Sequence, residues 1–112
     1  MTSENLKIAD SLWVLKTAEG YKIGLTNAAQ EELGKISFVT MPKVGKEIKR
    51  GESLIELEAE KSVSDFSTPI SGKIALINEA VEEDPSVLDH ADQKEAWIAV
   101  LTDVNEEDFN RL

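Results

Sequence analysis

With 112 residues, 22 Asp and Glu against 12 Lys and Arg, and a formal net charge of −10, the chain has the size and character of one small acidic domain. That charge argues against nucleic acid and anionic membrane as partners, since both need basic patches. The absence of cysteine rules out a disulfide, a thiolate nucleophile and a cysteine metal site, so redox chemistry would have to come from a group added to the chain.

Residues 1–10 lack the basic start and long apolar run of a signal peptide, and are too acidic for an organellar transit peptide. They are expected as a flexible leader to a single domain over 11–112, in a cytoplasmic, bacterial setting. No later stretch reaches the length of a membrane span. The β-formers at 12–16 and 21–25, separated by Thr17-Ala18-Glu19-Gly20, predict a hairpin in which Trp13 is a core or edge packing residue. Asn27, with Gln30 three positions on and Gly34 after Leu33, predicts one or two helical turns capped by Asn27. A strand follows over 36–41, ended by Pro42, and Val44-Gly45 and Gly51 mark turns.

The stretch from 54 to 76 carries the most information. Ile55, Leu57 and Ala59 share one parity and Glu56, Glu58 and Glu60 the other, the alternation of a half-buried strand. Phe66, Ile70, Ile74 and Leu76 share a parity in a second strand, interrupted near Pro69 by a kink or bulge. Ser62-Val63-Ser64-Asp65 lies between them and predicts a tight reversal, which places Lys61 at or beside a hairpin tip in solvent. Taken alone, such a lysine is an ordinary surface charge.

Beyond residue 77 the capping residues Asn78 and Asp84, the latter followed by Pro85, predict two short helical turns. Glu82-Glu83-Asp84 reads as a solvated acidic face. A strand returns over 97–101, and Asn105 opens a short acidic helix ending near Phe109 and Leu112. Strands joined by short turns, with helix only in small pieces, predict a mainly β antiparallel sandwich or flattened barrel.

The chain shows no catalytic constellation. His90, the single histidine, sits in Asp89-His90-Ala91-Asp92, a loop that could be drawn as a metal site or a general base with an orienting carboxylate. No partner ligand or nucleophile stands at a telling spacing, and the plainer reading is a polar loop. There is no phosphate loop, and the serines around Lys61 lack a base to activate a hydroxyl.

Three segments together resemble the lipoyl and biotinyl carrier domains: Val44-Gly45 through Gly51-Glu52-Ser53-Leu54, then Glu58-Ala59-Glu60-Lys61, then Thr68-Pro69-Ile70-Ser71-Gly72-Lys73-Ile74. With Gly24-Leu25-Thr26-Asn27-Ala28-Ala29-Gln30-Glu31-Glu32-Leu33-Gly34, Phe38-Val39 and Met41-Pro42-Lys43-Val44-Gly45, and a pattern continuing through Glu58, Lys61, Ser64 and Asp65, the resemblance becomes one to the glycine cleavage system H protein, over roughly residues 12 to 102. It implies a barrel-sandwich hybrid of two small antiparallel sheets, and lipoate joined to Lys61 through an amide. Biotin acceptors usually place Met on both sides of the lysine, whereas Glu60 and Ser62 flank Lys61, which favours lipoate.

The resemblance also implies a carrier without a catalytic site of its own. A lipoate ligase or lipoyl transferase would load Lys61. The arm would then accept an aminomethyl group from glycine decarboxylase, pass it to an aminomethyltransferase, and be reoxidised by dihydrolipoyl dehydrogenase. Glu56, Glu58, Glu60 and Asp65 are candidates for recognition by these partners or by the ligase, and otherwise form the outward face of the hairpin.

Two family blocks are altered. The usual His-Glu-Trp-Val appears as Ser11-Leu12-Trp13-Val14, and Asn-x-x-Pro-Tyr-Gly-x-Gly-Trp as the segment 89–97, without its Pro, Tyr and glycines. These departures fit a divergent H-like member. The alternative role is a lipoylation-dependent ADP-ribosylation and redox response with a sirtuin and a macrodomain protein as partners. A reading of another class is an acidic protein-interaction module without cofactor.

Overall fold

The computed structural model describes residues 5–112. Among the described residues, nine strands form two antiparallel sheets. The larger has the order β1-β2-β3-β9-β8-β5, the smaller β4-β6-β7. The strands are β1 Leu6–Ala9, β2 Leu12–Thr17, β3 Gly20–Leu25, β4 Ile36–Thr40, β5 Glu47–Ile48, β6 Ser53–Ala59, β7 Val63–Ser67, β8 Gly72–Ile77 and β9 Trp97–Thr102. Helices α1 Asn27–Leu33, α2 Glu79–Glu83 and α3 Glu106–Asn110 are short, as are two 3₁₀ turns, Pro85–Asp89 and Gln93–Glu95.

The hairpin expected at 12–25 is β2–β3, with Leu12 opposite Leu25 and Val14 opposite Ile23. Of residues 1–10, expected as a leader, 1–4 lie outside the described residues, while Leu6–Ala9 form edge strand β1 in register with β2. Leu6, Ile8 and Lys7 provide the β-compatible pattern, and pairing with β2 satisfies backbone groups that a free leader would leave to water.

The core lies between the sheets and is built from alternating residues. Ile23, Leu25, Ile55, Leu57, Ile70, Ile74, Ile98 and Leu101 are fully buried there, each worth about 1.5–3 kcal/mol of transfer free energy. Trp13 is a core residue whose indole N–H donates to the carbonyls of Leu25 and Gln93, at 3.0 and 3.1 Å. Its ring lies so close to Gly24 that a Cβ there would stand 2.4 Å away. Phe109 of α3 meets Tyr21 edge to face with ring centroids 5.0 Å apart, closing one end of the core.

Three local expectations are corrected. The α1 cap is Thr26 rather than Asn27: Thr26 holds extended backbone and its hydroxyl accepts from the Ala29 N–H, while Asn27 is already helical and its side chain bonds Gln30 instead. Asn78 precedes α2, but its side-chain amide donates to the Trp97 carbonyl and makes no cap. The strand expected from Phe66 to Leu76 is two strands in different sheets: β7 ends at Ser67, the chain crosses through buried Thr68 and Ile70, and β8 begins at Gly72. Within β8 a bulge between Ile74 and Leu76 breaks the alternation, and Leu76 faces solvent.

Candidate functional site

The site is the tip of the β6–β7 hairpin. Glu58 pairs with Val63, Leu57 with Ser64 and Glu56 with Asp65. The Ala59 N–H donates to the Ser62 carbonyl at 2.8 Å, and the return bond from Ser62 measures 3.4 Å, so Glu60 and Lys61 alone form the reversal. The turn therefore falls just before the Ser62-Val63-Ser64-Asp65 segment expected to hold it, and Val63, Ser64 and Asp65 belong to β7.

Two-residue hairpin loops ordinarily use turns with positive φ. Among the described non-glycine residues only Asp10 and Asp103 have positive φ, so this tip does not. It is held from outside: the Glu60 N–H donates to the Lys35 carbonyl at 2.8 Å and the Lys61 N–H to the Leu33 carbonyl at 2.9 Å. Leu33 and Lys35 flank Gly34, whose φ of +74° and ψ of −157° lie in a region glycine alone adopts readily. That glycine also leaves room for the tip, because a Cβ on it would lie 2.9 Å from Glu60 Oε1.

The Lys61 side chain is exposed, and its Nζ donates to the Glu31 carbonyl at 3.1 Å. Glu31 is in the last turn of α1, where unpaired carbonyls carry partial negative charge, so the ammonium completes that helix end. Beneath the tip is a cavity of about 140 Å³ lined by Ser11, Ala29, Glu32, Leu33, Ser62 and Ser64. Lys61 thus combines a backbone fixed by two anchoring bonds with an amine open to another molecule.

The structure brings the candidate carboxylates to the same hairpin. Glu56, Glu58 and Asp65 are exposed on its outer face and Glu60 is exposed at the tip. Glu56 and Asp65 stand directly opposite each other, an arrangement of like charges that destabilises a sheet. Asp65 is further fixed by the Ser53 hydroxyl, which donates to its Oδ1 at 2.6 Å. His90 is elsewhere and exposed, its Nδ1 accepting from the Asp92 N–H, while Asp89 accepts from the Ile36 N–H. These three side chains do not converge, and the described residues include no cluster of metal-ligating groups.

Glu31, Leu33 and Gly34 were invisible as site residues in the sequence, because they act through backbone carbonyls and an open α-carbon. Phe38 lies where the sequence pattern would not put it. Strict alternation would put it on the same side as buried Ile36, but a bulge between them turns it to solvent beside Glu58.

The chain is similar to known proteins along nearly its whole length. Residues 4–112 match the family described as Glycine cleavage H-protein. A glycine cleavage system H protein of Listeria welshimeri is 39% identical over 100 residues, covering 89% of this chain and 80% of the relative. One from Coprothermobacter proteolyticus is 43% identical over 100 residues, covering 88% and 79%. The crystal structure of a glycine cleavage system H protein from Mycobacterium marinum superposes with a TM-score of 0.75 at 28% identity, covering 99% of this chain and 98% of that one. With that fold, those relatives and a family match over almost every residue, the chain belongs to the glycine cleavage H-protein family.

Proposed function

We propose that Lys61 is the residue that carries the lipoyl group. The family is one of lipoyl carriers in glycine cleavage, with lipoate attached covalently to a lysine, and this chain is such a carrier. The observation supporting Lys61 is its position: an exposed amine on a two-residue tip whose own backbone N–H is tied to α1. Its Nζ makes no ion pair among the described residues, so acylation breaks no salt bridge.

The residues fit the group. Nζ must lose a proton to attack an activated acyl carbon, and no side chain among the described residues pairs with it to take that proton, so the ligase or transferase supplies the base. When attached, the lipoyl group supplies a dithiolane that takes up the aminomethyl fragment of glycine and two electrons as its S–S bond opens. The chain's part is to hold Lys61 Cα fixed while the arm moves, which keeps the group at high effective concentration near whichever enzyme is docked. Catalysis then belongs to glycine decarboxylase, the aminomethyltransferase and dihydrolipoyl dehydrogenase. Glu56, Glu58, Glu60 and Asp65 form the recognition surface, which accounts for like charges left opposed at Glu56 and Asp65.

Neither the ADP-ribosylation role nor the cofactor-free module gains support from the relatives. The test is lipoylation with lipoate, ATP and a lipoate ligase, followed by intact mass and peptide mapping. One lipoyl adduct on the peptide containing Lys61, absent from Lys61→Arg, is expected. An adduct on another lysine, or none, overturns the assignment.

A further inference from the structure

Two hollows flank α1, and the Lys61 side chain lies against one of them. Asn27, Gln30, Glu31 and Gly34 share a flank of the helix by their spacing, and with Lys35 and the 89–91 loop they line a groove of about 630 Å³, open along its outer side. The cavity of about 140 Å³ under the tip lies on the other flank, against Ala29, Glu32 and Leu33. The Lys61 side chain runs past Gly34, where a Cβ would stand 3.5 Å from its Cγ, and ends with Nζ on the Glu31 carbonyl at 3.1 Å. Gly34 and Glu31 line the groove and not the cavity.

The walls of the groove are fastened to each other. Asn27 Nδ2 donates to Gln30 Oε1 at 2.8 Å and to the Ala91 carbonyl at 3.0 Å, and Gln30 Nε2 donates to the carbonyls of Leu88 and His90 at 2.7 and 2.9 Å. These bonds join α1 to the 88–91 segment and consume the side-chain amide donors of the wall. Gly34 and Ala91 add only bare backbone and a methyl group. A ligand there meets fixed walls with their amides already engaged, which suits an apolar chain.

We propose that the groove is the resting place of the lipoyl arm, with the Glu31 carbonyl as its first contact. The proposal rests on Lys61 being the carrier residue. Acylation leaves Nζ with one N–H of the ammonium's three, and one is all that the Glu31 carbonyl needs to keep its bond. Keeping it starts the acyl chain at the edge of the groove, and the covalent tether decides which apolar chain lies there. The length agrees: from Gly34 to Asn27 the groove follows α1 for about 10 Å, about the extended length of the lipoyl chain beyond Nζ. Because the groove is open on one side, an enzyme that binds the dithiolane can lift the arm out.

The experiment uses the full chain in two forms, lipoylated at Lys61 and acetylated at Lys61, each verified by mass and isotope-labelled for NMR. Acetyl-lysine has the same amide without the arm. In both forms the Nζ–H is expected to exchange with solvent roughly tenfold more slowly than in a short acylated peptide. In the lipoyl form alone, methylene and ring protons of the arm should show NOEs to the Ala91 methyl, and the backbone amide signals of Gln30, Gly34 and Ala91 should move. Ala91→Asp, which puts a carboxylate on the wall, should remove those NOEs and leave the Nζ–H exchange unchanged. Ala28→Asp, on an exposed part of α1 outside the groove, should alter neither. Peptide-like exchange of the Nζ–H overturns the proposal. So do lipoyl and acetyl spectra that agree along the groove, and so do NOEs to Ser11 and Ser64 of the other cavity in place of Ala91. Failure of the carrier reading shows separately, as a parent chain whose Lys61 takes no lipoate from the ligase, while the acetylated form still reports on the Glu31 bond.

Discussion

The backbone N–H of Lys61 donates to the carbonyl of Leu33 at 2.9 Å, joining the tip of the smaller sheet to the last turn of α1. With the companion bond from Glu60 to Lys35, this fixes the base of a swinging arm without touching its end. A carrier needs that division. Freedom in the arm lets it reach several enzymes, and freedom in the tip would only add entropy to be lost at each docking.

Gly34 is the point at which this anchorage can be broken with one methyl group. Its φ of +74° is strained for any other residue, and a Cβ would meet Glu60 Oε1 at 2.9 Å and Glu60 Cβ at 3.2 Å. Gly34→Ala is expected to cost about 1–3 kcal/mol. Its thermal midpoint should fall by several degrees, and amide exchange at Glu60 and Lys61 should accelerate more than exchange in β9. A parental midpoint with unchanged tip protection would show that the contact is relieved without consequence.

Acylation of Lys61 removes a cation from the C-terminal end of α1, where Nζ lies 3.1 Å from the Glu31 carbonyl. Charge at a helix end contributes about 0.3–1 kcal/mol, so the lipoylated protein should be slightly less stable than the unmodified one. Lys61→Gln should reproduce most of the difference. Thermal melts of the three forms at low and high salt check this, with the gap expected to shrink as salt screens the charge.

The alternation of Ile55 and Leu57 against Glu56 and Glu58 was legible because one buried face imposes period two, and the hairpin and its lysine followed from it. The exact turn was not. Ser62, Ser64 and Asp65 are good turn residues locally, but Glu60 and Lys61 take the reversal because the carbonyls of Lys35 and Leu33, far back in the chain, accept their N–H groups. Phe38 and Leu76 were illegible for a related reason: one extra residue in a strand reverses every later side chain, and a bulge depends on the partner strand. The crossing between β7 and β8 left Ser67-Thr68-Pro69 and Ser71-Gly72 as its traces.

Trp13 carries a structural prediction away from the site. Its N–H is shared by the carbonyls of Leu25 and Gln93, tying β3 to the segment before β9. Trp13→Phe keeps an aromatic ring but leaves both acceptors short of a donor, at a cost of about 1–3 kcal/mol. Denaturant unfolding should show that loss with little change in slope, and lipoylation of Lys61 should proceed at the parental rate. Slower lipoylation would mean that this packing is coupled to the tip.

Asp84 gives a dependence on pH. The Ser86 hydroxyl donates to its carboxylate at 2.6 Å and the Ser86 N–H at 3.1 Å, and these bonds, with a smaller contribution from the Lys35 charge, hold its pKa below the ordinary aspartate value against a weak opposing effect of desolvation. A carboxyl whose pKa is lower folded than unfolded stabilises the fold above the unfolded value of about 3.9, and that contribution disappears as pH falls through the folded value. Carboxyl-carbon NMR should therefore find Asp84 titrating below the ordinary aspartate value. Ser86→Ala removes the larger of the two hydrogen bonds and should move the Asp84 midpoint upward, shrinking the acid-labile part of the stability. An Asp84 midpoint at the ordinary aspartate value, and unmoved in Ser86→Ala, would mean that the cap on Pro85–Asp89 does not favour the charged form.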